Sequence, residues 1–264
     1  MANQCNFTTD RSFALFGAEL LLKAEPTASG SVYTSVTTNP VDAGRRARFA
    51  FAAASETSSL SIDDAALQSF NAQQRVEQTP YLLSYQAGTR KLVVQCEEGL
   101  GTSHVALVRQ QSDIGSGSPD QSYRLMFGGR DAQPGDRLVD RTYSALNHQS
   151  RARIASSESP FVDMFSTLNG MDYSSATGQA RGALNLSTGF GAPVTIRFET
   201  TVAPGTTEFA GPVTVTDGAG NPIPEATGNV FGRFYGPEGE EVGYVITMAK
   251  GQERFVIVGI GEGR

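Results

Sequence analysis

The stretch Gly228-Asn-Val-Phe-Gly-Arg-Phe-Tyr-Gly-Pro-Glu-Gly-Glu-Glu-Val-Gly243 decides the fold. Asn229–Tyr235 is rich in β-branched and aromatic residues and reads as a strand. Gly236-Pro237 ends it, because proline has no N–H to give to a ladder. Glu238, Glu240 and Glu241 cluster in the turn that follows, and Glu241–Thr247 begins the next strand. A cation site at these carboxylates would need oxygen ligands at regular spacing, and no Asp-x-Asp-x-Asp pattern is present, so a solvated turn is the plainer reading. Outward from this hairpin, Arg254–Val258, Glu208–Val215, Val194–Phe198 and Ala180–Leu186 are further short strands separated by turn residues such as Asp217-Gly-Ala-Gly-Asn-Pro222. Strands at this even spacing predict an antiparallel meander that closes into a barrel of about eight strands, and closure removes the exposed edges. Phe198, Phe209, Phe231, Val245, Ile246 and Val256 are expected to fill its interior.

The first half carries shorter apolar runs: Phe13–Phe16, Glu19–Lys23, Arg48–Ala52 and His104–Val108. Tyr81–Tyr85 and Lys91–Gln95, joined across a glycine-containing turn, read as a hairpin. Ile62–Phe70 reads as a short helix, with Ser61 as N-cap and Asp63 and Asp64 in the first turn. The expected fold class is therefore mainly all-β, a β-rich N-terminal domain followed by an antiparallel eight-stranded β-barrel. The chain has 264 residues, 21 basic and 27 acidic, a net charge of −6, and only three lysines. Residues 1–137 hold 12 basic and 14 acidic residues and residues 138–264 hold 9 and 13, so neither half offers the basic face that nucleic acids require. No run of 18 apolar residues is present to form a membrane-spanning helix.

The hairpin motif resembles the C-terminal barrel signature of the transferrin-binding-protein-B-like surface lipoproteins. Phe234-Tyr-Gly-Pro237, Glu240-Glu-Val-Gly243 and the final strand ending Val258-Gly-Ile-Gly-Glu-Gly-Arg264 occur in that family's order. The strands over Gly182–Leu186, Val194–Phe198 and Phe209–Gly211 also match its preceding strands. One departure is Tyr244, which follows Gly243 where the family has a second glycine. The resemblance implies a handle domain over 1–137, with Leu125–Gly129 as the junction strand, and a barrel over 138–264. It further implies a non-enzymatic binding protein of a Gram-negative bacterium, at the cell surface or secreted. Such a protein would capture a nutrient, haem or an iron carrier, for a TonB-dependent outer-membrane receptor. The alternative on the same scaffold is an adhesin or a lipoprotein that binds a host or partner protein.

Catalytic chemistry finds no constellation in the sequence. The two histidines, His104 and His148, form no zinc-type pair, and no nucleophile elbow or activated cysteine is present. The Gly-rich stretch Gly259–Gly263 has no helix after it to make a dinucleotide loop. No resident cofactor is expected beyond the haem that the resemblance allows. Candidate ligand-binding residues are Arg45 and Arg46, which suit an acidic group such as a haem propionate, together with His104, Tyr143 and His148, residue types that ligate iron. The ordinary reading of each is a solvated side chain. Cys5 and Cys96 are either two buried thiols or one disulfide; the expectation is a bridge pinning the N-terminal segment to a strand. The opening residues Met1–Cys5 show no secretory leader, which fits a cytosolic chain or a mature chain whose leader has been removed. A lipid anchor on Cys5 would need that residue to come first in the mature chain.

Overall fold

The computed structural model of the chain describes residues 7–27, 30–41, 46–96, 104–113, 120–129, 137–153, 161–186, 192–202, 204–251 and 253–264. Two antiparallel sheets account for these residues. The first contains β1 (Arg11–Thr27), β2 (Gly30–Val41), β3 (Ala47–Ala52), β4 (Thr57–Ile62), β5 (Ala65–Phe70), β6 (Arg75–Gln78), β7 (Leu82–Ala87), β8 (Arg90–Gln95), β9 (Val105–Ser112) and β10 (Asp120–Gly129). The second contains β11 (Arg141–Arg153), β12 (Phe161–Ser174), β13 (Gln179–Leu186), β14 (Val194–Thr201), β15 (Glu208–Asp217), β16 (Thr227–Tyr235), β17 (Glu241–Lys250) and β18 (Glu253–Gly263), and closes as an eight-stranded barrel. Closure comes from β11 pairing with β18, Tyr143 opposite Gly263 and Arg153 opposite Glu253. The handle-plus-barrel architecture expected from the sequence is present.

The first sheet runs β5-β4-β3-β1-β10-β9-β8-β7-β6, with β2 also on β1. One edge of β1 serves two strands in succession: Arg11–Leu15 pair with β3 and Gly17–Thr27 with β2. The sheet curls until its two ends meet through side chains. The Phe70 and Tyr85 rings lie 5.5 Å apart, and the Tyr85 hydroxyl donates to the Glu56 carbonyl oxygen at 3.0 Å. The β7–β8 hairpin forms as expected, with Gly88 (φ 60°) in its turn.

Residues Ile62–Phe70 are not a helix. Ile62 ends β4, Ala65 begins β5, and Asp63 and Asp64 form the turn with φ of 53° and 63°. Two consecutive positive-φ residues are what a tight hairpin needs, and aspartate tolerates that region better than most residues. The paired acids that resemble a first helical turn are instead the tip of a hairpin.

Three apolar cores result. The handle encloses one, with Phe13, Leu15, Phe49, Leu60, Tyr85, Leu92 and Met126. The barrel encloses another, including Phe198, Phe209, Phe234, Tyr244, Ile246 and Ile257. The third lies between the domains: Phe16, Leu20, Leu125 and Phe127 of the handle pack on Tyr235, Val245, Val256, Val258 and Ile260 of the barrel. Phe231, Val245 and Val256 therefore face the handle and not the barrel interior, which corrects the expectation for these three. Phe198, Phe209 and Ile246 are interior as expected. The physical reason is that β16–β18 bury both faces, so alternate residues serve two cores and period-two alternation alone does not say which face is inside. Phe231 is only partly buried, stacked near Phe16 and Phe127, so trimming it to alanine costs less than the about 3–5 kcal/mol of a fully enclosed phenylalanine. Tyr244, the departure from the family pattern, points inward and packs near Phe198.

Candidate functional site

The turn between β16 and β17 gathers more polar contacts than its length suggests. Gly236 (φ 82°) and Gly239 (φ 71°) give it a shape that other residues resist, and a Cβ on Gly236 would lie 2.3 Å from Glu240 Oε2. The Glu238 N–H donates to Glu240 Oε2 at 3.0 Å, and Glu238 pairs with Arg141 at 3.2 Å. The Arg137 N–H donates to the Pro237 carbonyl and the Val139 N–H to the Glu238 carbonyl, so the turn holds the segment that enters the barrel. The Gly263 N–H donates to the Glu240 carbonyl at 2.7 Å, which ties in the closing strand.

Glu241 reaches across to the handle. One of its carboxylate oxygens accepts from the His104 and Val105 N–H groups, both at 2.9 Å, and the residue is only 2% exposed. Charge-assisted bonds to backbone donors are among the stronger hydrogen bonds a protein makes. The solvated-turn reading holds for Glu238, which is exposed, and fails for Glu241. A carboxylate in a Gly/Glu turn looks solvated in sequence because its donors lie more than 130 residues away.

His104 and Tyr143, two of the residues singled out from sequence, both meet this turn. His104 is buried at the start of β9, with its ring against Gly236. Tyr143 is buried in the barrel end, and its hydroxyl donates to the Gly239 carbonyl. Burial holds the Tyr143 phenol well above the ordinary tyrosine range. A phenol whose folded-state pKa is raised contributes stability that is intact below the unfolded value of about 10 and is lost as pH climbs through the folded value. Alkaline titration followed by phenolate absorbance should therefore show Tyr143 ionising only as the fold is lost, with the late step smaller by one phenol in Tyr143→Phe, because other tyrosines are buried as well. Ionisation of all eight tyrosines in the native state at ordinary pH would contradict this.

The other candidates lie elsewhere. Arg46 sits in the handle between β2 and β3, largely exposed, with its guanidinium 2.7 Å from Asp64 at the β4–β5 turn. Arg45 lies outside the described residues. His148 is in β11, opposite Phe165 and Val258, and its side chain lies outside the described set. Cys5 is also outside the described residues. Cys96, next to β8, is buried with its sulfur 3.6 Å from the Val105 carbonyl oxygen, and it is not a free thiol. Denatured, unreduced protein is expected to titrate no thiol, the bridge to Cys5 contributing about 2–4 kcal/mol. Two thiols per chain would end the pairing.

One polar cluster was not anticipated. On the enclosed face of the handle, buried Glu19 pairs with buried Arg124, which also donates to Gln110 and, at 2.8 Å, to Ser122. Gln110 and Gln68 both donate to the Ser112 hydroxyl. The signal in the sequence is Glu19, a charge on the same strand face as Phe13 and Leu15. The network has the mutual pairing that buried charges require and bridges β1, β10, β9 and β5. Among the described residues, no three His, Cys, Asp or Glu side chains gather to hold a metal ion.

No family model matches the chain, and no curated protein matches it. Solved structures do. The isotype 1 transferrin binding protein B of serogroup B Neisseria meningitidis superposes with a TM-score of 0.52 at 13% identity, over 94% of this chain and 44% of that one. A structure described as a surface lipoprotein gives 0.50 at 13% identity, over 93% of this chain and 98% of that one. The chain thus spans less than half of the meningococcal protein and nearly the whole of the surface lipoprotein. It has the transferrin-binding-protein-B-like fold.

Proposed function

We propose that this chain is a non-enzymatic binding module of the bacterial cell surface, taking up a nutrient as haem or as an iron carrier and passing it to a TonB-dependent outer-membrane receptor. The observation that carries the reading is the two-domain fold shared with a transferrin binding protein and, over nearly its full length, with a surface lipoprotein. Two of the reactive side chains have structural partners: the Glu241 carboxylate joins the domains by accepting from the His104 and Val105 N–H groups, and the Tyr143 hydroxyl is held within the barrel by the Gly239 carbonyl. The described side chains that face the barrel interior form an apolar cluster, which favours recognition by the handle and loops. Among the described residues the one large hydrophobic that is exposed is Val76, at 64%.

The test has two arms. Haemin is added to the folded protein and followed by Soret absorbance, and immobilised protein is challenged with iron carriers in their loaded and unloaded forms. Saturable binding in either arm, with slower growth of a deletion strain on that iron source, supports the proposal. Binding in neither arm, with recovery of a surface protein partner in pull-downs, would favour the adhesin alternative instead. Arg46→Ala should weaken binding of whichever iron source is captured while leaving stability within about 0.5 kcal/mol of the parent, because exposed ion pairs contribute little. Loss of binding in a barrel-interior variant, with Arg46→Ala unaffected, would move the site off the handle.

A further inference from the structure

The outer wall of the barrel holds a groove of about 550 Å³ over β12–β15, within the about 300–1,000 Å³ range of small-molecule sites. Its origin is legible from the register. Gly170, Ala183, Arg197 and Thr214 lie side by side across four strands on the outer face. The first two carry little or no side chain, so the wall there is nearly bare backbone. The adjacent row is Asp172, Arg181 and Glu199, with Arg181 and Glu199 paired at 3.0 Å, and it stands up as a charged rim.

Two irregularities deepen the groove. The β12–β13 register shifts between Leu168 and Gly170, and Gly170 has φ 152°, a conformation that side chains rarely adopt. Beyond Phe198 opposite Val213, β15 leaves β14 and pairs with β16 instead, and Pro212 marks the change of partner. Proline suits that position because it offers no N–H to either ladder.

Arg197 differs from Arg181 in its pairing. Its one described polar partner is the Thr216 hydroxyl at 3.5 Å, and among the described residues no carboxylate pairs with it. An arginine fork of this kind binds a carboxylate through two parallel hydrogen bonds. We infer that this groove is a binding site for a small carboxylate with an apolar body. The carboxylate meets Arg197, the apolar body lies over the Gly170–Ala183 floor, and the Asp172–Arg181–Glu199 rim disfavours a second negative group. The site is on the barrel and does not depend on the nutrient-binding reading of the handle.

The experiment is an amide-resolved NMR titration of the full chain with benzoate and with benzamide, its neutral counterpart. Benzoate should shift the amides around Ala183, Arg197 and Thr214 saturably, and benzamide should bind about tenfold more weakly or less. Arg197→Gln should remove that preference, and Ala183→Leu, which fills the floor, should abolish binding of both. Four outcomes overturn the inference. They are no saturable response in the groove, equal binding of acid and amide, an Arg197→Gln variant that behaves as the parent, and shifts spread alike over every surface arginine. The arginine variant is a surface change and keeps the test decisive if Ala183→Leu fails to fold.

Discussion

Glu241→Ala is expected to destabilise the protein by about 2–5 kcal/mol, the cost of stranding buried donors that had a charged acceptor. Both the His104 and Val105 N–H groups lose their partner at once, and neither is placed to recruit water while β9 remains packed on β17. Glu241→Gln keeps an acceptor oxygen in the same place and should recover at least half of the loss. Urea denaturation of the three proteins measures the series. Limited proteolysis adds a second readout, with cleavage near His104 rising in the alanine variant before the rest of the handle is cut. An alanine variant within about 0.5 kcal/mol of the parent would show that these bonds hold nothing together.

Phe127→Ala should be comparably damaging, at about 3–5 kcal/mol, since its ring is fully buried at the centre of the interdomain core. The ring lies within 5.9–6.4 Å of Phe16, Phe231 and Tyr235 and rests on Gly243. A Cβ at residue 243 would sit 2.3 Å from the Phe127 ring, so Gly243→Ala in the parent protein should cost about 1–3 kcal/mol by overpacking. In the Phe127→Ala background the added methyl enters the space the ring has left, and the cost should largely disappear. A double-mutant cycle then shows a coupling of about 0.5–3 kcal/mol, as touching residues do. Strict additivity of the two substitutions would mean that Phe127 and Gly243 are not in contact in solution.

The sequence announces strands well and their environments poorly. Val194-Thr-Ile-Arg-Phe198 alternates cleanly because one face meets the barrel core and the other meets water, and it lies where expected. Phe231, Val245 and Val256 mislead because the opposite face of the same strands is also buried, against a domain whose docking no local pattern encodes. Asp63-Asp64 misleads because acids favour both a first helical turn and a positive-φ hairpin tip, and only the pairing of β4 with β5 decides between them. Of the candidate site residues, His104 and Tyr143 were visible as residue types, but their roles depend on the backbone at Gly236 and Gly239 and on the Glu241 carboxylate. Arg197 attracts no notice in sequence. Its interest comes from Gly170 and Ala183, which the register brings alongside it from two other strands.

The pairing of β11 with β18 also constrains the order of assembly. Tyr143 meets Gly263 only after every intervening strand has been made, a contact of long sequence separation whose loop-closure entropy is paid before any packing rewards it. Until then Phe16, Leu20, Leu125 and Phe127 of the handle have no barrel to cover them. A ribosome extends such a chain over many seconds, and throughout that interval the handle presents an apolar face to every other nascent protein nearby. The cover for that face comes from β16, β17 and β18, the last three strands to be made.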